Sequence, residues 1–265
     1  MTRQILVGCD PEVFVKKNGV FVSAHGLIPG NKVEPHKVDG GAVQVDGMAL
    51  EFNIDPANSQ QQFVKSVQQV FAIMRSMCPE YEIVATPVAD FSLDYIASQP
   101  IEARELGCDP DYDAYTGAAN IKPNVNLPMR TASGHVHLGW GNGFDVNSEE
   151  HDNACRLSAK QMDVFLGLPS LFYDDDQRRR SMYGNPGCYR RKPYGVEYRT
   201  LSNAWLRNEN LMAWVYRAAT TGMQRLMSGE FLFEKYDNVP EIIKNSDKKA
   251  AEKIIKAENL EVCFG

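Results

Sequence analysis

Apolar and polar positions alternate with a period of two in several short stretches, which predicts strands whose two faces see different surroundings. Ile5 to Val7 running through to Val15, and then Val20 to Ser23, form two such strands around Lys16-Lys17-Asn18-Gly19. Asn-Gly there is a strong hairpin signal. The Gly- and Pro-rich stretch from His25 to Gly41 reads as a long loop, and Ala42 to Asn53 as a strand pair or a bent strand broken at Asp46-Gly47. Residues 81–88 alternate again. Helical spacing appears where Phe63, Val67, Val70, Phe71 and Met74 follow a cap at Asn58 or Ser59, and where Leu157, Gln161, Val164, Phe165 and Leu168 run from Ser148 toward Pro169. A third helix spans about Asn208 to Met227, with Leu211, Trp214, Val215 and Ala218 on its inner side. The tail from Pro240 is Lys/Glu-rich, with Ile242, Ile243, Ile254 and Ile255 marking a packed helical cap. Residues 90–129 are mostly irregular, and loops that long inside a compact domain tend to be functional.

A chain of 265 residues with 43% hydrophobic content buries a substantial core. The expectation is one domain, 1–265, with 240–265 as a C-terminal helical tail. A net charge of -6 excludes general electrostatic binding to nucleic acid, which leaves only a modified base as a nucleic-acid-derived substrate. Six cysteines without a C-x-x-C pair give no support to zinc-knuckle or thioredoxin-like readings, and reduced thiols are expected. No secretory signal pattern and no run of roughly 20 apolar residues is present, so the expectation is a soluble, cytoplasmic protein with no membrane partner. Gly-Cys-Asp-Pro occurs at Gly8 and again at Gly107, too short a match to argue duplication.

Candidate chemistry lies in four segments that each read as an extended strand: Gly8-Cys9-Asp10-Pro11-Glu12-Val13-Phe14, Asp46 through Leu50-Glu51-Phe52-Asn53, Ser133-Gly134-His135-Val136-His137-Leu138-Gly139 and Gly195-Val196-Glu197-Tyr198-Arg199. Residues two apart share a face, so Asp10/Glu12, His135/His137 and Glu197/Arg199 each present two groups together. Asp10, Glu12, Glu51 and Glu197 supply the hard oxygen ligands that divalent cations need. His135 and His137 either complete such a site or meet a phosphate oxygen, and their flanking glycines are expected to leave backbone room for a ligand.

The stretch from Arg178 to Arg199 is locally basic: Arg178, Arg179, Arg180, Arg190, Arg191, Lys192 and Arg199. Guanidinium groups match phosphate oxygens two-pronged, so beside a bound metal these residues are candidates to hold a nucleoside triphosphate. For Arg178 to Arg180, a salt-bridged loop answering Asp174-Asp175-Asp176 is the open alternative. No G-x-x-x-x-G-K-[ST] loop, G-x-G-x-x-G, kinase signature or G-x-S-x-G elbow occurs. If ATP is used, carboxylates, metals and arginines bind it.

Taken together and in order, the four segments resemble the glutamine synthetase superfamily of carboxylate-amine ligases. Gly-Cys-Asp-Pro-Glu-Val-Phe, Leu-Glu-Phe-Asn, Ser-Gly-His-Val-His and Val-Glu-Tyr-Arg are similar to its acidic, Glu-bearing, H-x-H and E-x-R strands. The likeness is nearest to the compact phage-type COOH-NH2 ligases, type 2, to which Arg-Arg-Lys-Pro-Tyr-Gly-Val-Glu-Tyr-Arg-Thr-Leu and Gly-Cys-Asp-Pro-Asp-Tyr-Asp-Ala-Tyr are also similar; it spans residues 8 to about 205. The resemblance implies an α+β fold, a curved antiparallel sheet packed by helices, holding ATP and Mg2+ or Mn2+. It implies that Glu12 and Glu51 hold one metal and that Asp10, His135 and Glu197 hold another. It further implies that His137 contacts the ATP phosphates, and that Arg199 stabilises the phosphoryl group in flight with Arg190 or Arg191 as helper. Asp10 stands where those enzymes have Glu, and a further acid ahead of the Glu51 strand has Asp46 and Asp39 as candidates. No separate N-terminal domain of the glutamine synthetase kind precedes the first strand, so an oligomer is possible but a ring dodecamer is not implied.

The function these residues suggest is an ATP-dependent ligase that activates a small-molecule or peptide carboxylate as an acyl phosphate and joins it to an amine, in the host cytoplasm if phage-encoded. The amine's proton is expected to pass to an acid in the Asp109 to Asp113 loop. The rival is a metal-dependent amidohydrolase built on H-x-H and the acids; the Glu197-x-Arg199 strand and the arginines, which a hydrolase of neutral amides does not need, distinguish the two.

Overall fold

The computed structural model describes residues 4–104, 110–121 and 127–264. Its strands are β1 (Leu6–Lys17), β2 (Val20–Val22), β3 (His36–Val38), β4 (Gly41–Asp46), β5 (Ala49–Ile54), β6 (Glu82–Val84), β7 (Val88–Asp90), β8 (Tyr112–Asp113), β9 (Met129–Thr131), β10 (Gly134–Gly139), β11 (Cys188–Lys192) and β12 (Gly195–Tyr198). The helices are α1 (Gln60–Met77), α2 (Leu93–Ala97), α3 (Ile101–Arg104), α4 (Glu149–Met162), α5 (Leu168–Ser170), α6 (Gln177–Arg180), α7 (Glu209–Met227), α8 (Val239–Lys244) and α9 (Lys248–Ala257). A ten-stranded sheet runs β3-β4-β5-β1-β10-β12-β11-β8, with β2 and β6 added to the far end of β1, and β7 pairs β9 separately. Every pairing is antiparallel, so the expected α+β class, a large antiparallel sheet packed by helices, is what the chain adopts.

The period of two sorts the long strands into faces. Val7, Cys9, Val13 and Val15 of β1, Val43 of β4, Leu50 and Phe52 of β5, Val136 and Leu138 of β10, and Val196 and Tyr198 of β12 belong to one buried cluster with residues of α1, α4 and α7. The helices start where their caps allow. Ser59 Oγ accepts from Gln62 N, Ser148 Oγ from His151 N and Asn208 Oδ1 from Leu211 N, each satisfying an amide that the first turn leaves open, for about 1 kcal/mol. α4 continues through a π turn at Asp163–Gly167 into α5, where Pro169 can donate no amide hydrogen bond. The tail packs against that turn, because Ile242, Ile243, Ile254 and Ile255 share a cluster with Val164, Phe165 and Leu168.

The opposite sheet face carries Asp10, Glu12, Glu51, His135, His137 and Glu197. Toward the β7–β9 pair it becomes apolar, with Phe14, Met48, Ala49, Phe91, Ile96 and Ala103 in a small third cluster. No helix among the described residues is long and apolar enough to cross a membrane. The second Gly-Cys-Asp-Pro lies partly outside the described residues, and so does Asp109.

Candidate active site

Strand register brings the acidic and imidazole groups together. Asp10 lies opposite His135, Glu12 opposite Glu51, Glu51 opposite Gln44 on its other side, and Glu197 opposite both His137 and Arg190. Asp10, Glu12, Gln44, Glu51, His135 and Arg190 line a cavity of about 520 Å3 together with Lys32, Asp46, Arg130, Tyr183, Lys192 and Arg199, and Phe14, Met48 and Ala49 line it too; His137 and Glu197 stand beside Asp10 on the same sheet face without lining it.

At one end, carboxylate oxygens of Glu12, Asp46 and Glu51 lie within 4.8 Å of one another. Burial first, and then the charge of Asp46, hold the Glu12 carboxyl up at about 7, although Ser133 N donates to its Oε2 at 2.7 Å. Glu51 is raised too, by burial and by Asp10, Asp46 and Glu12. Lys32 reaches in from the loop before β3, its Nζ 2.8 Å from Asp46 Oδ1, and the nearby acids outweigh its partial burial and raise its pKa. Three crowded carboxylates with one ammonium fit a hard divalent cation such as Mg2+ or Mn2+.

In the middle, donor atoms of Asp10, His137 and Glu197 also lie within 4.8 Å of one another. His137 Nε2 is 3.0 Å from Asp10 Oδ1, while Nδ1 hydrogen-bonds the Tyr194 hydroxyl. His135 Nδ1 is 3.1 Å from Asp10 Oδ1 and 3.4 Å from Glu197 Oε1. Burial and the neighbouring Arg199 push its imidazole down to about 4, so it is neutral near pH 7. Burial alone would raise the Asp10 carboxyl, but His137 and His135 outweigh it and hold it low. Mixed oxygen and nitrogen donors of this kind also suit a divalent cation. The resemblance assigned His135 to this centre and His137 to phosphate; the strands bring both imidazoles to Asp10, His137 through Nε2 at 3.0 Å and His135 through Nδ1 at 3.1 Å, with His135 also beside Glu197 and Arg199.

At the other end stand the cations. Glu197 is fully buried and ion-paired to Arg199 Nη1, to Lys192 Nζ at 2.8 Å and to Arg190 Nη1 at 3.3 Å. Burial pushes its carboxyl up, but Arg199, Lys192 and the two imidazoles reverse that and hold it far below the usual range. Arg199 also donates through Nε to Asp111 Oδ2 at 3.0 Å and through Nη2 to the Tyr183 hydroxyl, so its guanidinium plane is fixed from three sides.

Three basic residues proposed from the sequence sit elsewhere. Arg191 falls on the helix-facing side of β11, because Arg190 and Lys192 occupy the other side; its Nη1 lies 3.5 Å from Asp152 and its guanidinium covers the Tyr112 ring. Arg179 is 1% exposed and donates to Thr200 O at 2.7 Å and Ser133 Oγ at 3.1 Å, which makes it a buried tie between backbone segments. Arg180 pairs with Asp174 at 3.2 Å and donates to Ser246 Oγ. The salt-bridged alternative therefore describes Arg178 to Arg180, since Arg178 too is taken by Asp176 and Asp90. Of the two candidates for the further acid, Asp46 is in the cavity, whereas Asp39 bonds Gln69.

The glycine beside His135 answers to packing and not to ligand room. A Cβ on Gly134 would stand 2.2 Å from Trp205 Nε1 and 2.4 Å from Ser202 O. Sequence reasoning passed over Lys32, Tyr183 and Tyr194. Lys32 lies in a loop with no periodicity. Tyr194 sits in the turn between β11 and β12, and recognising Cys188–Lys192 as a strand would have exposed both that turn and the Arg190/Lys192 pairing.

Fold and site define an α+β protein whose sheet face sets two carboxylate-bearing clusters beside a bank of cations. Residues 125–256 match the family described as phage phiEco32-like COOH.NH2 ligase-type 2. That stretch contains His135, His137, Arg190, Lys192, Glu197 and Arg199, and the family it matches is the one that the motifs resemble. No curated protein matches the chain. Among solved structures, a bifunctional glutathione synthetase from Pasteurella multocida is similar at TM-score 0.39 and 11% identity over 97% of this chain and 49% of that one, so the chain spans about half its length. A likeness that loose has no bearing on function.

Proposed function

We propose that the protein is an ATP- and Mg2+-dependent carboxylate-amine ligase that forms an amide bond through an acyl phosphate. The observation that carries the reading is one sheet face on which carboxylates converge at two points and Arg190, Lys192 and Arg199 converge at a third, around a cavity lined by Asp10, Glu12, Asp46, Glu51 and those three cations. That is the charge pattern a triphosphate with its cations requires. Glu12, Asp46 and Glu51 would hold one cation and Asp10, His137 and Glu197 another. Bound there, the ions neutralise phosphate oxygens.

In the first step a carboxylate oxygen of the substrate attacks the γ-phosphorus as the bond to ADP breaks. Arg199, oriented by Glu197, Asp111 and Tyr183, offsets charge on the transferring group, with Arg190 and Lys192 alongside. In the second step the amine nitrogen attacks the acyl carbon, the C–O bond to phosphate breaks, and the amine's proton passes to a base. Asp111 is a poor base, because burial is outweighed by Arg199 and its carboxyl is held low. His135, held down to about 4 by burial and Arg199, is no stronger a base, so neither residue is assigned this role.

The mixed Asp10/His137/Glu197 donor set also suits a hydrolytic metal centre, and this keeps amide hydrolysis as the rival. Release of ADP that depends on both a carboxylate and an amine, and is lost in Glu197→Gln, is the expected result. Amide hydrolysis without ATP would reverse the assignment.

A further inference from the structure

Tyr194 has a place in the site that its position in a hairpin turn does not require. Pro193 and Tyr194 are the two residues that join β11 to β12, with Lys192 paired to Gly195. The turn is docked onto the end of β10, where Trp140 N donates to Tyr194 O at 3.0 Å. From this anchored backbone the phenol ring lies nearly parallel to the His137 imidazole, centroids 6.0 Å apart and planes 20° from each other, and its hydroxyl meets Nδ1. The imidazole's other nitrogen, Nε2, is thereby turned to Asp10.

We propose that Tyr194 is the positioning residue of the Asp10/His137/Glu197 centre: its hydroxyl fixes the imidazole of His137 so that Nε2 is the nitrogen presented to the cation. This rests on the metal reading above. An imidazole that gives a lone pair to a metal must carry its proton on the other nitrogen, and that N–H needs an acceptor. A phenolic oxygen accepts as readily as it donates, so it serves His137 in both forms: donating to Nδ1 when the proton sits on Nε2, or accepting from Nδ1–H when Nε2 ligates. The Nε2 atoms of both histidines are buried with no hydrogen bond among the described residues, but His135 Nδ1 faces Asp10 Oδ1 at 3.1 Å and Arg199 Nη1 at 3.4 Å instead of a phenol. The two histidines of the H-x-H segment are therefore not interchangeable, and Tyr194 selects His137.

The test is Mn2+ binding followed by electron paramagnetic resonance on the full chain, with Glu51→Gln used to separate the two centres. Tyr194→Phe keeps the ring and removes only the hydroxyl. Expected is a loss of about 10- to 100-fold in affinity at the Asp10 centre, unchanged affinity at the Glu12/Asp46/Glu51 centre, and an unchanged melting temperature without metal. In a His137→Ala background, adding Tyr194→Phe should cause no further loss. Wild-type affinity in Tyr194→Phe, a loss shared equally by both centres, or a further loss beyond His137→Ala would overturn the proposal while leaving the ligase reading standing. A wild-type chain that binds no Mn2+ at the Asp10 centre would overturn both.

Discussion

Replacing Glu12 by Gln should stabilise the metal-free protein and abolish one cation site, and both effects follow from a single cause. Glu12 is held up from 4.5 to about 7 by burial and by Asp46, with Glu51 directly across the sheet. At about 1.4 kcal/mol for each pH unit, ionising it in the folded state costs roughly 3 kcal/mol above pH 7. Gln keeps the shape and can still accept the Ser133 amide, but it carries no charge to be repelled. Because it shares some of the burial penalty, a gain of about 1–3 kcal/mol is expected, or very roughly 2–6 °C in melting temperature. A raised carboxyl lowers stability as pH climbs from about 4.5 to about 7, so the gain should be full at pH 8 and mostly gone at pH 5. Thermal or urea denaturation in EDTA at both values measures it. Added Mn2+ should invert the order, because a ligand that binds only the folded state stabilises the wild type and bypasses the variant. A variant less stable than wild type at pH 8 in EDTA, or equally stabilised at both values, would refute the reasoning.

Asp163 offers a second pH test away from the cavity. Buried, and accepting from the hydroxyls of Tyr198 at 2.6 Å and Tyr115 at 2.9 Å, it is raised from 3.8 to about 6, chiefly by burial. Wild-type stability relative to Asp163→Asn should fall by about 3 kcal/mol as pH rises from about 4 to about 6, and a pH-independent difference would count against this. Lys32→Ala removes an ammonium that competes for Asp46, so calorimetry should show tighter Mg2+ binding by a few-fold; weaker binding would mean that Lys32 helps to build the site. Arg179→Ala should cost about 3 kcal/mol or more in denaturant unfolding, by stranding buried acceptors, without weakening nucleotide binding to the folded fraction. Arg191→Ala should leave turnover near wild type while Arg190→Ala loses it, and the reverse would place the wrong face of β11 in the cavity.

The acidic strands were legible because Asp10/Glu12 and His135/His137 repeat at the two-residue period that puts side chains on one face. The helices were legible because Ser59, Ser148 and Asn208 each stand just ahead of an apolar stripe. Where the period was crowded with charge, as in Cys188-Tyr-Arg-Arg-Lys192, a strand went unassigned inside a basic stretch, and Arg190 and Arg191 could not be told apart as helpers. Arg179 and Arg180 were misjudged for a different reason: only the tertiary fold shows that backbone carbonyls and Asp174 consume them. The different surroundings of His135 and His137 were hidden as well, since strand alternation puts both on one face and only the fold sets Tyr194 against one and Arg199 against the other.

The most direct measurement is a crystal structure grown with Mn2+ and a non-hydrolysable ATP analogue, read by anomalous scattering. Expected are one manganese among Glu12, Asp46 and Glu51, a second bound by Asp10, His137 Nε2 and Glu197, and the triphosphate lying between them and Arg199. Manganese absent from both centres, or a nucleotide seated away from this sheet face, would contradict the proposed chemistry.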